Sequence, residues 1–208
     1  MQPRLHWKLI KTVIFDLGKV LIPFDWQRGY QALAQESPYQ PEEIRLRLKE
    51  MGIFDPMERG RIEPREAARL VGKALDFDVS LERFRELWSS IFLPETIVPE
   101  SLLEGLRTAH RLLLLSNTDA IHFAWISEKY TILRHFDHCV LSFELDARKP
   151  EPAIYREAIA RAGCPAGEIF FTDDRPDNVE AARQAGIDAV QFESVPQLEQ
   201  ELKSRGVM

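Results

Sequence analysis

The sequence predicts an α/β protein: a doubly wound parallel sheet with helices on both faces, split after its first strand by an inserted helical bundle. Three observations lead there. Short apolar runs alternate with amphipathic helical patterns through the second half of the chain. The first such run, residues 12–15, is instead followed by a long stretch, residues 26–90, with helical patterning and no strand. Three of the runs stop on polar side chains, at Asp16, at Ser116-Asn117 and at Asp173-Asp174. In an open sheet of this kind ligands bind beyond the carboxyl ends of the strands, where the strand order reverses.

Val13, Ile14 and Phe15 read as a strand buried on both faces. Gly18 then allows a sharp turn and a close approach of the backbone to a ligand. In the insert, helices are expected over residues 26–35, 42–51, 64–75 and 81–90. Pro41 and Pro64 sit as helix-start prolines. Ser80 is an N-cap candidate. Trp88-Ser89-Ser90 and Pro94 mark the return, so the sheet core is expected from residues 1–22 with 93–208, and the insert from 23–92. The core then reads as helix 99–109, strand 111–115, helix 120–129 and strand 138–141. Helix 152–162 ends at Gly163, with Pro165 beyond. Strand 168–171, helix 176–185 ended by Gly186, strand 189–192 and helix 196–203 complete it.

Composition narrows the class. A chain of 208 residues, 45% hydrophobic, can bury one mid-sized core with a smaller insert. The formal charge of −6 and the absence of a Lys/Arg block give no support to nucleic-acid binding. The Arg-rich stretch from Glu58 to Arg69 is interleaved with acids and reads as a solvated helical face. Cys139 and Cys164 have neither CxxC nor zinc spacing, which points to a reducing, cytoplasmic setting. Residues 1–11 lack the apolar core of a signal peptide. The longest aliphatic run, residues 112–115, is far too short to span a bilayer. Oligomeric state is not encoded in any readable pattern.

The polar strand ends suggest chemistry. Asp16, Asp173 and Asp174 would converge on one sheet edge, and Arg148-Lys149-Pro150 precedes a helix on the same side. Clustered carboxylates repel one another, and Mg²⁺ prefers oxygen ligands of this type. A lysine and a hydroxyl beside them suit a phosphate dianion.

Four segments carry a family likeness: FDLGKVL with Asp16, LLLSNT with Ser116, RKP with Lys149, and FFTDDRPDN with Asp173 and Asp174. In that order and in those elements, the chain resembles the hydrolases of the haloacid dehalogenase superfamily that carry a helical cap after the first strand. The likeness covers nearly the whole chain. It implies a Rossmann-like core and Mg²⁺-dependent hydrolysis of a small phosphate ester, sugar phosphates foremost. It assigns Asp16 as a nucleophile that forms an aspartyl-phosphate. It assigns Mg²⁺ to Asp16, the Gly18 carbonyl and Asp174, with Asp173 a ligand or a partner through water. Ser116 would hold phosphoryl oxygens, and Lys149 would neutralise charge and orient Asp16. Asn117 is either a substrate contact or a turn residue. Asn178 would support the last loop.

The sequence departs from the family pattern at one position. Most phosphatases of the superfamily carry a second Asp two residues after the nucleophile, and here that residue is Gly18. General acid–base help of this kind is typically worth ~10²–10⁴-fold. Asp25 is a candidate substitute or an N-cap for the helix it precedes. With glycine there, the chain is similar to a D-L-G-x-V subgroup that includes α-D-glucose-1-phosphate phosphatases. That likeness extends over residues 24–28, 58–62 and 116–122. Arg59 and His122 are candidate substrate contacts, each with a plain surface or helix-start reading beside it. Trp26 is either a stacking platform or a core aromatic of the insert. Two other functions remain open at this point. One is a metal-independent 2-haloacid dehalogenase, against which the Asp173-Asp174 pair argues. The other is a non-catalytic binding protein of the same fold.

Overall fold

The computed structural model describes residues 9–208. The first eight residues of the expected core span, and most of the segment read for a signal peptide, lie outside the described residues. Five parallel strands form one sheet: β1 (Thr12–Phe15), β2 (Arg111–Ser116), β3 (His138–Leu141), β4 (Ile169–Asp173) and β5 (Asp188–Gln191). Their order is β3-β2-β1-β4-β5. The chain winds outward from β1 to β3, crosses back, and continues through β4 to β5. The order therefore reverses between β1 and β4, which makes their carboxyl ends the expected ligand crevice.

Both faces of the sheet are covered, which is why its strands are continuous apolar runs rather than alternating ones. Val13, Phe15, Leu112, Leu114 and Phe170 point to one side. They pack there with α6 (Glu100–Arg107), α7 (Ala120–Lys129) and α11 (Val195–Ser204) through Leu103, Ile126 and Leu202. Ile14, Leu113, Leu115 and Phe171 point to the other side. They meet α9 (Pro152–Ala162) and α10 (Pro176–Gln184) through Ile154, Tyr155 and Val179. Each fully buried Leu, Ile or Phe contributes about 1.5–3 kcal/mol.

Between β1 and α6 the chain forms five helices: α1 (Trp26–Leu33), α2 (Pro41–Met51), α3 (Phe54–Glu58), α4 (Pro64–Leu75) and α5 (Leu81–Ser89). They share a separate core of Leu33, Ile44, Leu48, Val71, Phe84 and Trp88, and Ile121 of α7 enters it. Pro41 and Pro64 stand in the first turns of α2 and α4. Ser80 caps α5 by accepting from the Arg83 N–H at 3.1 Å. Two α-helices are not expected from sequence: α3, and the single turn α8 (Ser142–Leu145) after β3. Neither is long enough to show a 3.6-residue period, and α3 contains Pro56.

Candidate active site

Asp16 follows β1 directly, and Asp173 ends the neighbouring β4, where Phe15 pairs with Thr172. Strand register alone thus sets two carboxyl groups side by side at the switch point. Lys149, in the segment between α8 and α9, bridges them. Its Nζ donates to Asp16 Oδ1 and Asp173 Oδ2, each at 2.6 Å, and to the Leu115 carbonyl at 2.8 Å. All three side chains are buried. Burial disfavours the ammonium, but the Asp16 and Asp173 charges and hydrogen bonds outweigh it and hold the Lys149 pKa above its ordinary value. Burial pushes the Asp16 carboxyl up to about 7; Lys149 opposes the rise and Asp173 adds to it.

The supports of this bridge are specific. Asn117, just past β2, donates from Nδ2 to the Lys149 carbonyl at 2.9 Å and accepts the Lys149 N–H at 2.8 Å. Its amide therefore fixes the lysine's backbone. Asp173 accepts from the Arg175 N–H at 2.9 Å and from Asn178 Nδ2 at 2.9 and 3.1 Å. Asn178 thus orients Asp173 itself. With Lys149 added, Asp173 is held inside, fully shielded from solvent.

Asp174 is half-buried and lines an open cavity with Asp16, Gly18, Lys19 and Lys149. Burial, and then the Asp173 charge, raise its pKa. Carboxylate oxygens of Asp16, Asp173 and Asp174 lie within 4.8 Å of one another. The donor set is all oxygen, and Lys149 alone bridges two of these three acids. That chemistry fits a hard divalent cation.

A second, more apolar cavity adjoins the first. Ser116, Trp26, Phe54, Phe92, Asp119 and His122 are among its walls. Gly18, Phe24, Glu58 and Asn117 line both cavities. Trp26 packs edge-on to Phe54 and Trp88, with ring centroids 4.8 and 5.5 Å away, so it is at once part of the insert's core and part of the wall. His122 is buried. Its Nδ1 lies 3.0 Å from Asp119 Oδ2, and its Nε2 3.1 Å from the Trp88 carbonyl. Both neighbours are acceptors, an arrangement that favours the protonated ring. Burial opposes that charge, but Asp119 and the hydrogen bonds raise the His122 pKa. Burial would raise the Asp119 carboxyl, and His122 more than reverses this.

Not every candidate is brought here. Arg59 lines neither cavity. Its guanidinium pairs with Asp55 and Glu151 and donates to the Asp146 carbonyl at 3.1 Å, so it ties α3 to the segment between β3 and α9. These acceptors occupy its donor fork. The stretch from Glu58 to Arg69 is accordingly not one solvated face: Glu58 and Arg59 turn inward, while Arg69 stays exposed. Asp25 caps α1, accepting from the Gln27 N–H at 2.9 Å. Two residues of the site lie in stretches noted in the sequence but were given no role there. Asp119 carried a signal, an acid at a helix start with a histidine three residues on. Glu58 opens the 58–62 stretch of family likeness but was given no role, because it ends a helix too short to recognise.

A model of the haloacid dehalogenase-like hydrolase family matches residues 10–186. The chain belongs to that family. Among its relatives is a D-ribitol-5-phosphate phosphatase of Bacteroides thetaiotaomicron, 25% identical over 93% of this chain and 97% of the relative. A sesquiterpene phosphatase of Aspergillus oryzae is 25% identical over 85% and 87% of the two chains. A solved HAD family enzyme of B. thetaiotaomicron, in complex with magnesium and inorganic phosphate, superposes with a TM-score of 0.78 at 28% identity, covering 89% of this chain and 96% of that one. The five-stranded parallel core described above is the HAD core. No helix of the described residues is long and apolar enough to cross a membrane.

Proposed function

We propose that this HAD hydrolase is a Mg²⁺-dependent phosphatase acting on a small phosphate monoester, with sugar phosphates the favoured class. The observation that carries the reading is the buried Lys149 bridge between Asp16 and Asp173, with Asp174 open to the cavity beside it. Asp16 is the nucleophile: its carboxylate attacks phosphorus and the ester oxygen leaves, giving an aspartyl-phosphate that water then hydrolyses. Lys149 keeps Asp16 aimed and offsets charge that develops on the phosphoryl oxygens. Asp16, Asp174 and the Gly18 carbonyl would hold Mg²⁺, with Asp173 as a further ligand or a support. Bound there, the ion supplies charge neutralisation for the phosphoryl group. The helical insert acts as a cap that shields the reaction from water. Residues 23–92 would form it, and the described part of the expected core, residues 9–22 with 93–208, would form the sheet domain beneath it.

Ser116 lines the neighbouring cavity and would hold phosphoryl oxygens from that side, while His122 faces the part of it where the remainder of the ester would lie. Its aromatic wall suits the C–H faces of a sugar. The magnesium and phosphate bound by the B. thetaiotaomicron enzyme, and the phosphatase names of its curated relatives, support the same chemistry. The acidic pair has no use in a metal-free dehalogenase. The cysteines are free, which fits a reducing cytoplasm. The test is phosphate release from a panel of phosphomonoesters, with Mg²⁺ and with EDTA. Mg²⁺-dependent release, fastest among sugar phosphates, is expected. A folded protein that releases nothing from any ester overturns the reading.

A further inference from the structure

Breaking a phosphate ester leaves an alkoxide, which must receive a proton. Most titratable side chains around the two cavities are already committed. Lys149 is bound between Asp16 and Asp173. Asp119 and His122 hold each other, and the second nitrogen of His122 is taken by Trp88. Lys19 lies over the Phe24 ring, 5.3 Å from its centroid. Arg148 and Arg175 keep their protons throughout. Asp16 and Asp174 belong to the carboxylate cluster.

Glu58 is left, and it is the acid that lines both cavities. Its Oε2 is buried without a hydrogen-bond donor. It is ion-paired with Arg148 Nη2 at 3.0 Å, a contact out of line for a hydrogen bond. Position 18 offers no alternative, because a Cβ on Gly18 would lie 2.7 Å from Phe24 Cε1. The aromatic ring fills the space into which a side chain there would grow.

We propose that Glu58 is the general acid–base of the reaction, delivered by α3 to the junction of the two cavities. This rests on the phosphatase reading above. In the first step the P–O bond to the substrate breaks as the Asp16–P bond forms, and the Glu58 proton passes to the leaving oxygen. In the second, the Glu58 carboxylate takes a proton from water. The water oxygen bonds to phosphorus, the Asp16–P bond breaks, and Glu58 is again protonated. The environment suits the first role. Burial raises the Glu58 pKa, Arg148 and His122 oppose it, and the Asp119 and Asp55 charges add to the rise.

The test is kcat/KM for Glu58→Gln and wild type across aryl and alkyl phosphates of rising leaving-group pKa, with p-nitrophenyl phosphate at the good-leaving end. The expected loss is ~10²–10⁴-fold for alkyl phosphates and less than about tenfold for p-nitrophenyl phosphate. The alkaline limb of the pH–rate profile should disappear with it. Glu58→Gln should also show a burst of nitrophenolate, because hydrolysis of the phosphoenzyme slows. Thermal unfolding of Glu58→Gln and of Glu58→Asp, which keeps a carboxyl, separates a folding defect from a chemical one. An equal loss for every leaving group, or none, in a folded variant overturns the role of Glu58. A wild type without turnover on any ester overturns the phosphatase reading itself, and this role with it.

Discussion

The Phe24 ring occupies the space beside Gly18 that any side chain there would need: a Cβ would meet Cε1 at 2.7 Å and Cδ1 at 3.3 Å. Phe24 is itself set edge-on to Phe92, with ring centroids 6.5 Å apart. Glycine at position 18 and phenylalanine at position 24 are therefore one packing unit.

That coupling can be measured. Gly18→Ala should destabilise the protein by about 1–3 kcal/mol through overpacking. Phe24→Leu in the same chain should recover part of that loss. A double-mutant cycle by thermal or urea unfolding checks it, and additive effects would show that the two positions are independent.

The Asp16–Asp173–Asp174 carboxylate cluster makes a prediction that does not depend on turnover. Mg²⁺ at a hundredfold its Kd should stabilise the folded protein by about 2.7 kcal/mol. EDTA should abolish the effect. Asp174→Asn should remove most of it, since Asp174 is the acid that Lys149 leaves unbridged. A thermal shift series in Mg²⁺ reads all three.

The Asp119–His122 pair gives stability a defined pH window. His122 has a raised pKa in the folded protein, so its contribution is complete below the unfolded value of roughly 6.5 and fades as pH rises through the folded value. Asp119 has a lowered pKa, so its contribution is complete above roughly 3.9 and fades as pH falls through the folded value. The pair should stabilise most between those limits. Asp119→Asn, which keeps an N-cap oxygen, should cost about 1.5–3 kcal/mol there and less at more acidic pH. Unfolding curves at several pH values test this, and a cost that does not vary with pH would contradict it.

Arg59 separates substrate binding from bracing. Its guanidinium is engaged by Asp55, Glu151 and the Asp146 carbonyl. Arg59→Ala should lower stability by about 1 kcal/mol or less and leave KM for phosphate esters near the wild-type value. A large rise in KM at unchanged stability would place Arg59 at the substrate instead.

The parts of this molecule that were legible in sequence are those with periodicity or punctuation. The buried strand at Val13–Phe15 and the polar stops at Asp16, Ser116 and Asp173 show themselves through β-branched and aliphatic runs that end abruptly. Pro41, Pro64 and Ser80 mark helix starts for simple reasons of backbone geometry and capping. The placement of Glu58 was hidden because α3 is five residues long, and so short a helix has no period to read. The bracing contacts of Arg59 were not legible because, apart from Asp55, its acceptors come from residues 87 and 92 positions further along. The separation of Asp173 from Asp174, one held inside and the other facing the cavity, depends on Asn178 and Lys149 and has no local signature.

The most direct measurement is rapid acid quench of the protein with Mg²⁺ and its best phosphate ester, followed by peptide mapping of the covalent phosphoryl group. A hydroxylamine-sensitive phosphoryl on the peptide that carries Asp16, absent from Asp16→Asn together with turnover, is the predicted result. Phosphate release with no phosphoryl on that peptide, or release that persists in Asp16→Asn, would contradict it.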